Sequence, residues 1–182
     1  MEKENISNYI DITKDYYQSA KPKNHNVTHA KKFVDDEDNV FVVNNKRSGA
    51  FFDYNSKDYK ETIKCAHLLR NLFGGKIELQ PIVNYKDGIS TCDFKWKPPC
   101  SNKLEKWDLK TVEGSKSTTI DSMIKKKKKQ SHNFVIDLGN HTINREQAIK
   151  QIIDIYSKEH RDWIDKIMLK DNNEIIFIYK RK

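Results

Sequence analysis

The stretch "KWDLKTVEGSKSTTIDSMIKKKKKQSHNFVIDL", residues 106–138, decides the fold, because it reads as a strand, a helix and a second strand in succession. Charged and apolar residues alternate in "KWDLKTV", as in a strand with one polar face. "STTIDSMIKKKKKQ" places Ile120, Met123 and Ile124 at helical spacing. "NFVIDL" is an apolar run typical of a strand buried on both faces. We therefore expect a strand–helix–strand unit at the centre of the domain.

The segments on either side of this unit extend the pattern. Upstream, "SKDYKETIKCAHLLRNLFGG" predicts a helix that starts near Ser56 and stops at Gly74-Gly75. "KIELQPIV" and "TCDFKW" predict two strands, with a turn at 84–88 between them. Downstream, "NREQAIKQIIDIYSKEH" predicts a helix with Asn144 and Gln147 as a capping pair, and "WIDKIMLKDNNEIIFIYK" predicts a hairpin.

The order of these elements is helix, three strands, helix, strand, helix, hairpin, which predicts an α/β (α+β) fold with a mixed β-sheet flanked by helices. Residues 1–50 form a polar N-terminal extension that we expect to be partly ordered, and residues 51–182 form the main domain.

The composition favours a polyanionic partner. Lys and Arg number 34 and Asp and Glu 26, which gives a formal charge of +8. The three cysteines, Cys65, Cys92 and Cys100, lack CxxC spacing and so disfavour a disulfide framework or a four-cysteine zinc site. No signal peptide or transmembrane stretch is recognisable, so we expect a cytoplasmic location.

The pattern with chemical content is an acid on one strand followed by acid-x-Lys on the next. Asp93 lies in "TCDFKW", and Asp108 and Lys110 flank Leu109 on the following strand. Two carboxylates can hold a hard divalent cation. Lys110 follows Asp108 by two residues, so both side chains are expected on the same face of the sheet. This arrangement suits phosphodiester cleavage. Alone the pattern is weak, because acids and lysines often alternate on a solvated strand.

The motifs "GGKIELQP", Asp93-Phe94 and residues 106–138 resemble the C-terminal tRNase domain of contact-dependent growth inhibition (CdiA-type) toxins and related phage or mobile-element domains. The resemblance covers residues 57 to about 140. The order of helices and strands in this region is similar to the αβββαβ core of the restriction-endonuclease-like PD-(D/E)XK nucleases. It implies a toxin-type endoribonuclease acting on tRNA. The implied catalytic residues are Asp93, Asp108, Lys110 and Gln130, with Ser115, Lys116, Ser117 and Thr118 on the rim.

The resemblance also implies a cofactor and partners. Asp93 and Asp108 would bind Mg²⁺ or Mn²⁺, although some related toxins cut RNA without metal, so a metal-independent mechanism stays open. An immunity protein and a host elongation factor are the implied protein partners. Position 108 is Asp where the family more often has Glu. The candidate nucleic-acid-binding residues are Lys116, Thr118, Lys125, Lys126, Lys128 and Lys129.

Two alternatives remain from the sequence. One is a DNA endonuclease of a phage or mobile element, and the other is a catalytically silent module that binds nucleic acid or protein with the same fold. Weaker candidate site residues, for which an ordinary structural or solvated role is the favoured explanation, are Glu61, Glu78, His132, Asp137 and the pair His25 and His29.

Overall fold

The computed structural model describes residues 7–22, 27–43, 49–84 and 89–182. The predicted turn at 84–88 lies outside them apart from Asn84, and so does His25. The chain forms two compact units. We call residues 15–108 with 129–131 the acidic-pair unit, because it contains Asp93 and Asp108. We call residues 1–14, 109–128 and 132–182 the hairpin unit.

The acidic-pair unit contains most of helix α1, all of α2 and a series of short strands. The helices are α1 (Thr13–Gln18) and α2 (Lys57–Leu72). The strands are β2 (Val27–His29), β3 (Lys32–Val34), β4 (Val40–Val42), β5 (Ala50–Phe51), β6 (Lys76–Leu79), β7 (Ile82–Val83), β8 (Phe94–Lys97) and the first part of β9 (Glu105–Thr111).

The main sheet of this unit has the order β9-β8-β6-β2, with β2 parallel to β6 and the other pairs antiparallel. One face is apolar and buried, with Ile77 paired to Trp96 and Phe94 paired to Trp107. Phe73, just after α2, lies 6.1 Å from Trp96 between ring centroids, so α2 covers this face. The opposite face carries Glu78, Lys95 and Lys106.

The hairpin unit contains the end of β9 and the rest of the chain. Its strands are β1 (Tyr9–Asp11), β10 (Asn133–Asp137), β11 (Lys166–Asp171) and β12 (Glu174–Arg181), in the order β1-β12-β11-β10. Its helices are α3 (Thr119–Ile124) and α4 (Arg145–Ser157). Strands β10 and β11 are parallel and joined through α4, whereas β12 is antiparallel to both β11 and β1.

Local sequence signals predicted several elements correctly. Helix α2 starts after Ser56, whose side chain accepts a hydrogen bond from the Tyr59 amide. Asn144 and Gln147 form the predicted capping box of α4. Strand β10 is buried, and β11 and β12 form the predicted hairpin. The described part of the chain is therefore α+β, with mixed sheets and four α-helices.

Other elements differ from the predictions. Pro81 lacks a backbone donor, and "KIELQPIV" accordingly splits into β6 and β7. Helix α3 ends at Ile124 and continues as a single 3₁₀ turn over Lys125–Lys127, because like charges one helical turn apart repel. Gln130 therefore lies in a turn beyond the helix. Among the described residues, no helix combines the length and the apolar character needed to span a bilayer.

Candidate functional site

Asp93 and Asp108 are held next to each other in the acidic-pair unit. Asp93 immediately precedes β8, and Asp108 lies in β9 with 1% of its surface exposed. The backbone amide of Asp93 donates to the Trp107 carbonyl at 3.1 Å and to Oδ1 of Asp108 at 3.1 Å. The carboxylate of Asp108 thus accepts a hydrogen bond from the residue that carries the second carboxylate. This contact fixes the two acidic residues relative to each other.

Lys110 follows Asp108 by two positions in β9, in the part of the strand that belongs to the hairpin unit. Its side chain is half-buried. Because side chains alternate along a strand, Lys110 and Asp108 lie on the same strand face. Leu109 between them is buried, as the sequence predicted.

A small polar cleft lies in the acidic-pair unit, and we call it the lysine cleft. The ammonium-bearing residues that line it are Lys95, Lys106 and Lys129. Lys95 of β8 lies directly opposite Lys106 of β9. Lys95 also lies directly opposite Glu78 of β6, so the row Glu78, Lys95 and Lys106 carries one acid and two lysines and is net positive.

The other polar residues of the lysine cleft complete its chemistry. Gln80 and Gln130 contribute side-chain amides, and Asp35 and Asp36 contribute carboxylates from the β3–β4 hairpin. The Asp35 carboxylate already accepts hydrogen bonds from Asn39 and the Glu37 amide, and the bond from Asn39 is the main reason that its pKa lies below the usual value. The predicted residue Gln130 therefore lines a cleft with three lysines.

A second cavity, of about 330 Å³, adjoins the lysine cleft, and we call it the aromatic pocket. Phe52, Tyr59 and Ile82 form its apolar lining, and Asp93 is among its polar residues. The remaining lining residues are Asp53, Ser56, Asp58, Thr62, Leu79, Gln80, Pro81, Thr91 and Cys92. Gln80, Thr91 and Cys92 line both cavities, so the two share a wall.

His29 supports the aromatic pocket from behind its lining. Its Nε2 is 2.8 Å from the Tyr59 hydroxyl, and its ring lies edge-on to that of Phe52 at 4.7 Å between centroids. Burial lowers the pKa of His29, which favours the neutral imidazole. His29 therefore positions Tyr59 and Phe52.

Cys92 lies in the shared wall, and the charged residues around the site affect the pKa of its thiol. Burial, together with the charge of Asp108, raises the pKa of its thiol to about 12, although Lys106 and Lys95 oppose the shift. At neutral pH the thiol is protonated, so Cys92 is no nucleophile.

The predicted rim and basic residues lie mostly in the hairpin unit. Ser115, Ser117 and Thr118 line a cavity of about 460 Å³ there, together with Lys150 and Gln151. The predicted nucleic-acid-binding residues Lys116, Thr118, Lys125, Lys126, Lys128 and Lys129 are all exposed. Lys129 belongs to the acidic-pair unit and lines the lysine cleft.

The weaker candidates have structural partners. Asp137 accepts a hydrogen bond from Lys170 Nζ at 2.6 Å, and His132 Nδ1 is 2.7 Å from the Trp163 carbonyl oxygen. Glu78 accepts from Gln80, and Glu61 lies one turn from Lys57 in a 3.7 Å ion pair.

Lys95, Lys106, Phe52 and Tyr59 were missed by sequence reasoning. A signal for the two lysines was present, because each lies two residues from an acid: Asp93-x-Lys95 and Lys106-x-Asp108. The strand period therefore extends the D-x-K pattern over one sheet face. Nothing local indicates Phe52 and Tyr59, which line the pocket through the packing of α2.

Asp93 and Asp108 fit a hard cation in type, since both offer carboxylate oxygens. Within the described ranges no group of three or more His, Cys, Asp or Glu side chains is arranged to hold a metal ion. Any coordination at this place therefore rests on the two aspartates, with water or substrate oxygens as the other ligands.

Comparison with known proteins gives one match. No curated protein and no solved structure matches the chain. A family model, the contact-dependent growth inhibition CdiA C-terminal domain, matches residues 104–175. The match includes Asp108, Lys110 and Gln130, starts after Asp93, and extends past residue 140 through α4 and β11. Residues 104–175 are thus similar to the C-terminal domain of CdiA, which confirms the resemblance that the sequence motifs indicated.

Proposed function

We propose that the protein is a toxin-type nuclease that cleaves RNA, with tRNA as the favoured substrate. The observation that carries the proposal is the fixed pair of Asp93 and Asp108 in the unit that also contains the lysine cleft. Negative charge builds on a phosphodiester as it is cut, and preorganised cationic groups stabilise that charge. The similarity to the CdiA C-terminal domain supports a toxin role.

The residues have distinct roles in this proposal. Asp93 and Asp108 would hold Mg²⁺ or Mn²⁺, which would supply Lewis-acid activation of a water molecule. Lys110 steadies developing charge or orients the nucleophile from the strand face that it shares with Asp108. Gln130 donates a hydrogen bond to the phosphate from the lysine cleft. An immunity protein that blocks the cell's own copy is the partner expected of such a toxin.

The test is cleavage of total tRNA, with duplex DNA as a parallel substrate, in Mg²⁺, Mn²⁺ or EDTA. We expect Asp108→Asn and Lys110→Gln each to lower the rate about 100-fold or more, the scale of removing an acid–base or electrostatic group. Asn replaces Asp108 without loss of volume and keeps an oxygen to accept the Asp93 amide.

The matched control is Asp162→Asn, which removes a carboxylate from an exposed position of the hairpin unit and should leave the rate unchanged. Cleavage by the Asp108→Asn protein at the wild-type rate would rule out the assignment. Cleavage of DNA alone would replace RNA by DNA as the substrate. Tight binding without cleavage in every metal condition would establish the silent binding module. Full activity in EDTA would establish the metal-independent mechanism.

A further inference from the structure

The lysine cleft and the aromatic pocket have opposite chemistry on the two sides of a shared wall. The cleft has three lysines against two carboxylates, whereas the aromatic pocket is lined by Asp53, Asp58 and Asp93 together with aromatic rings. An anion is attracted by the cleft and repelled by the pocket. A ligand that occupies both must therefore combine an anionic part with a neutral, flat part.

The lysine cleft fits phosphate groups. Lys95 and Lys106 are directly opposed across β8 and β9, and Lys129 lines the same cleft from the turn at the end of the lysine run. A phosphodiester oxygen near these ammonium groups would accept charge-assisted hydrogen bonds from them. Gln130 adds a side-chain amide donor, whereas the side-chain amide of Gln80 already donates to Glu78.

The aromatic pocket fits an unpaired nucleobase. Its volume of about 330 Å³ lies within the range of small-ligand sites, about 300–1,000 Å³. Phe52 and Tyr59 offer ring faces or edges, and their rings lie 6.3 Å apart between centroids at 64°. Unpaired bases stack on such side chains and are recognised through their Watson–Crick edges.

The pocket's carboxylates specify which edge it can accept. Carboxylate oxygens only accept hydrogen bonds, so they match the amino groups of adenine, guanine and cytosine. Uracil has no amino group: its edge offers a single imino N–H between two carbonyl oxygens, which the same carboxylates repel, so it should bind more weakly.

We infer that the protein binds a single-stranded segment of RNA, with the phosphate backbone in the lysine cleft and one amino-bearing base in the aromatic pocket, beside Asp93. The wall of Gln80, Thr91 and Cys92 then separates base from phosphate. This inference rests on the proposed function and assigns its substrate: the segment bound at the site is unpaired, one base stacks on Phe52 and Tyr59, and the pocket's carboxylates select that base.

The experiment measures binding by the Asp108→Asn protein, so that the RNA is not consumed. The probes are a fluorescently labelled RNA stem-loop and a fully paired duplex with the same stem. The first variant, the lysine-cleft variant, carries Lys95→Gln, Lys106→Gln and Lys129→Gln in addition to Asp108→Asn. Its control adds Lys60→Gln, Lys64→Gln and Lys103→Gln, which removes the same charge from exposed positions of the same unit outside the cleft.

We expect the lysine-cleft variant to reduce the slope of log affinity against log salt by about 2, because each phosphate contact to a single strand contributes about 0.7. The control should reduce that slope by a smaller amount, which reflects general charge alone. Equal slopes for the cleft variant and its control would overturn the phosphate assignment.

The second variant is Phe52→Leu, which keeps an apolar side chain but loses the stacking surface. We expect its affinity for the stem-loop to fall about 5-fold or more, with little change for the duplex. Replacing the loop bases by uracil should weaken binding by the parent protein and have little further effect on the variant. Tyr17→Leu is the control, since Tyr17 is a half-exposed aromatic residue that packs on Phe73.

Equal affinity of the parent protein for stem-loop and duplex, or a Phe52→Leu protein that binds the stem-loop like the parent, would overturn the base assignment. These outcomes are separate from failure of the proposed function. A wild-type protein that cleaves no RNA would refute the nuclease, while the binding measurements would still decide where an RNA lies.

Discussion

Asp171 shows how a single buried carboxylate stabilises the hairpin unit. It lies at the end of β11, 4% exposed, where Arg145 Nε and His141 Nε2 each lie 2.6 Å from one of its oxygens. Burial alone would raise the pKa of Asp171, but the hydrogen bonds from Arg145 and His141 outweigh it and hold the pKa below the usual value. The ionised form is therefore favoured in the folded chain.

The depressed pKa of Asp171 predicts acid sensitivity. A group whose pKa is lower in the folded state contributes stability above its unfolded pKa, near 3.8, and loses that contribution as the pH falls through the folded value. We expect Asp171→Asn to lower the melting temperature at pH 7. The difference in melting temperature between the variant and wild type should become smaller as the pH falls below about 4. Thermal melting at several pH values checks this, with Asp162→Asn as the control. A gap that stays constant from pH 7 to pH 2 would contradict the expectation.

At the scale of elements, helix α4 depends on a local device at its start. The Asn144 side chain accepts from the Gln147 amide at 2.8 Å, and the Gln147 side chain accepts from the Asn144 amide at 2.9 Å. Ile152, Ile155 and Tyr156 of this helix lie in the buried core of the hairpin unit. Fraying at the cap would therefore loosen that core.

We expect Asn144→Ala to destabilise the protein by about 1 kcal/mol, the typical cost of losing an N-cap. For a chain of this size the melting temperature should fall by about 2–4 °C. Asn144→Asp keeps an acceptor oxygen at the cap and a negative charge at the helix N-terminus, so it should melt close to wild type. An alanine variant that melts like the aspartate variant would show that the capping box adds nothing to stability.

The elements differ in how far the sequence could predict them. Helices α2 and α4 and the β11–β12 hairpin were predictable, because caps, turn residues and periodicity are local signals. The adjacency of Asp93 and Asp108 was expected from strand order. Its basis is the hydrogen bond from the Asp93 backbone amide to the Asp108 carboxylate, which depends on pairing between β8 and β9. The lysine cleft and the aromatic pocket arise from residues distant in sequence, such as Phe52 and Ile82, which no local pattern links.

At the scale of the whole molecule, the formal charge of +8 draws polyanions to the protein, whereas the proposed metal site concentrates negative charge at Asp93 and Asp108. A divalent cation bound there would stabilise the folded state, because ligands that bind only the folded chain shift the unfolding equilibrium.

We therefore expect Mn²⁺ to raise the melting temperature of the wild-type protein. At a concentration 100-fold above the Kd, the added stability would be about 2.7 kcal/mol. The Asp93→Asn/Asp108→Asn protein should gain none of it, and Asp162→Asn should respond like wild type. An equal rise in all three proteins would place Mn²⁺ elsewhere and remove the metal from the proposed site.

The pairing of β12 with β1 and β11 has a consequence for anyone who expresses part of this chain. Residues 104–175 match the CdiA family model, but that interval ends two residues into β12 and omits β1. A fragment cut at those bounds would leave the outer edge of β11 without its neighbour, with a row of backbone donors and acceptors open to other chains. Such a fragment should aggregate, and the boundary of sequence similarity is therefore a poor guide to the boundary of a stable folding unit.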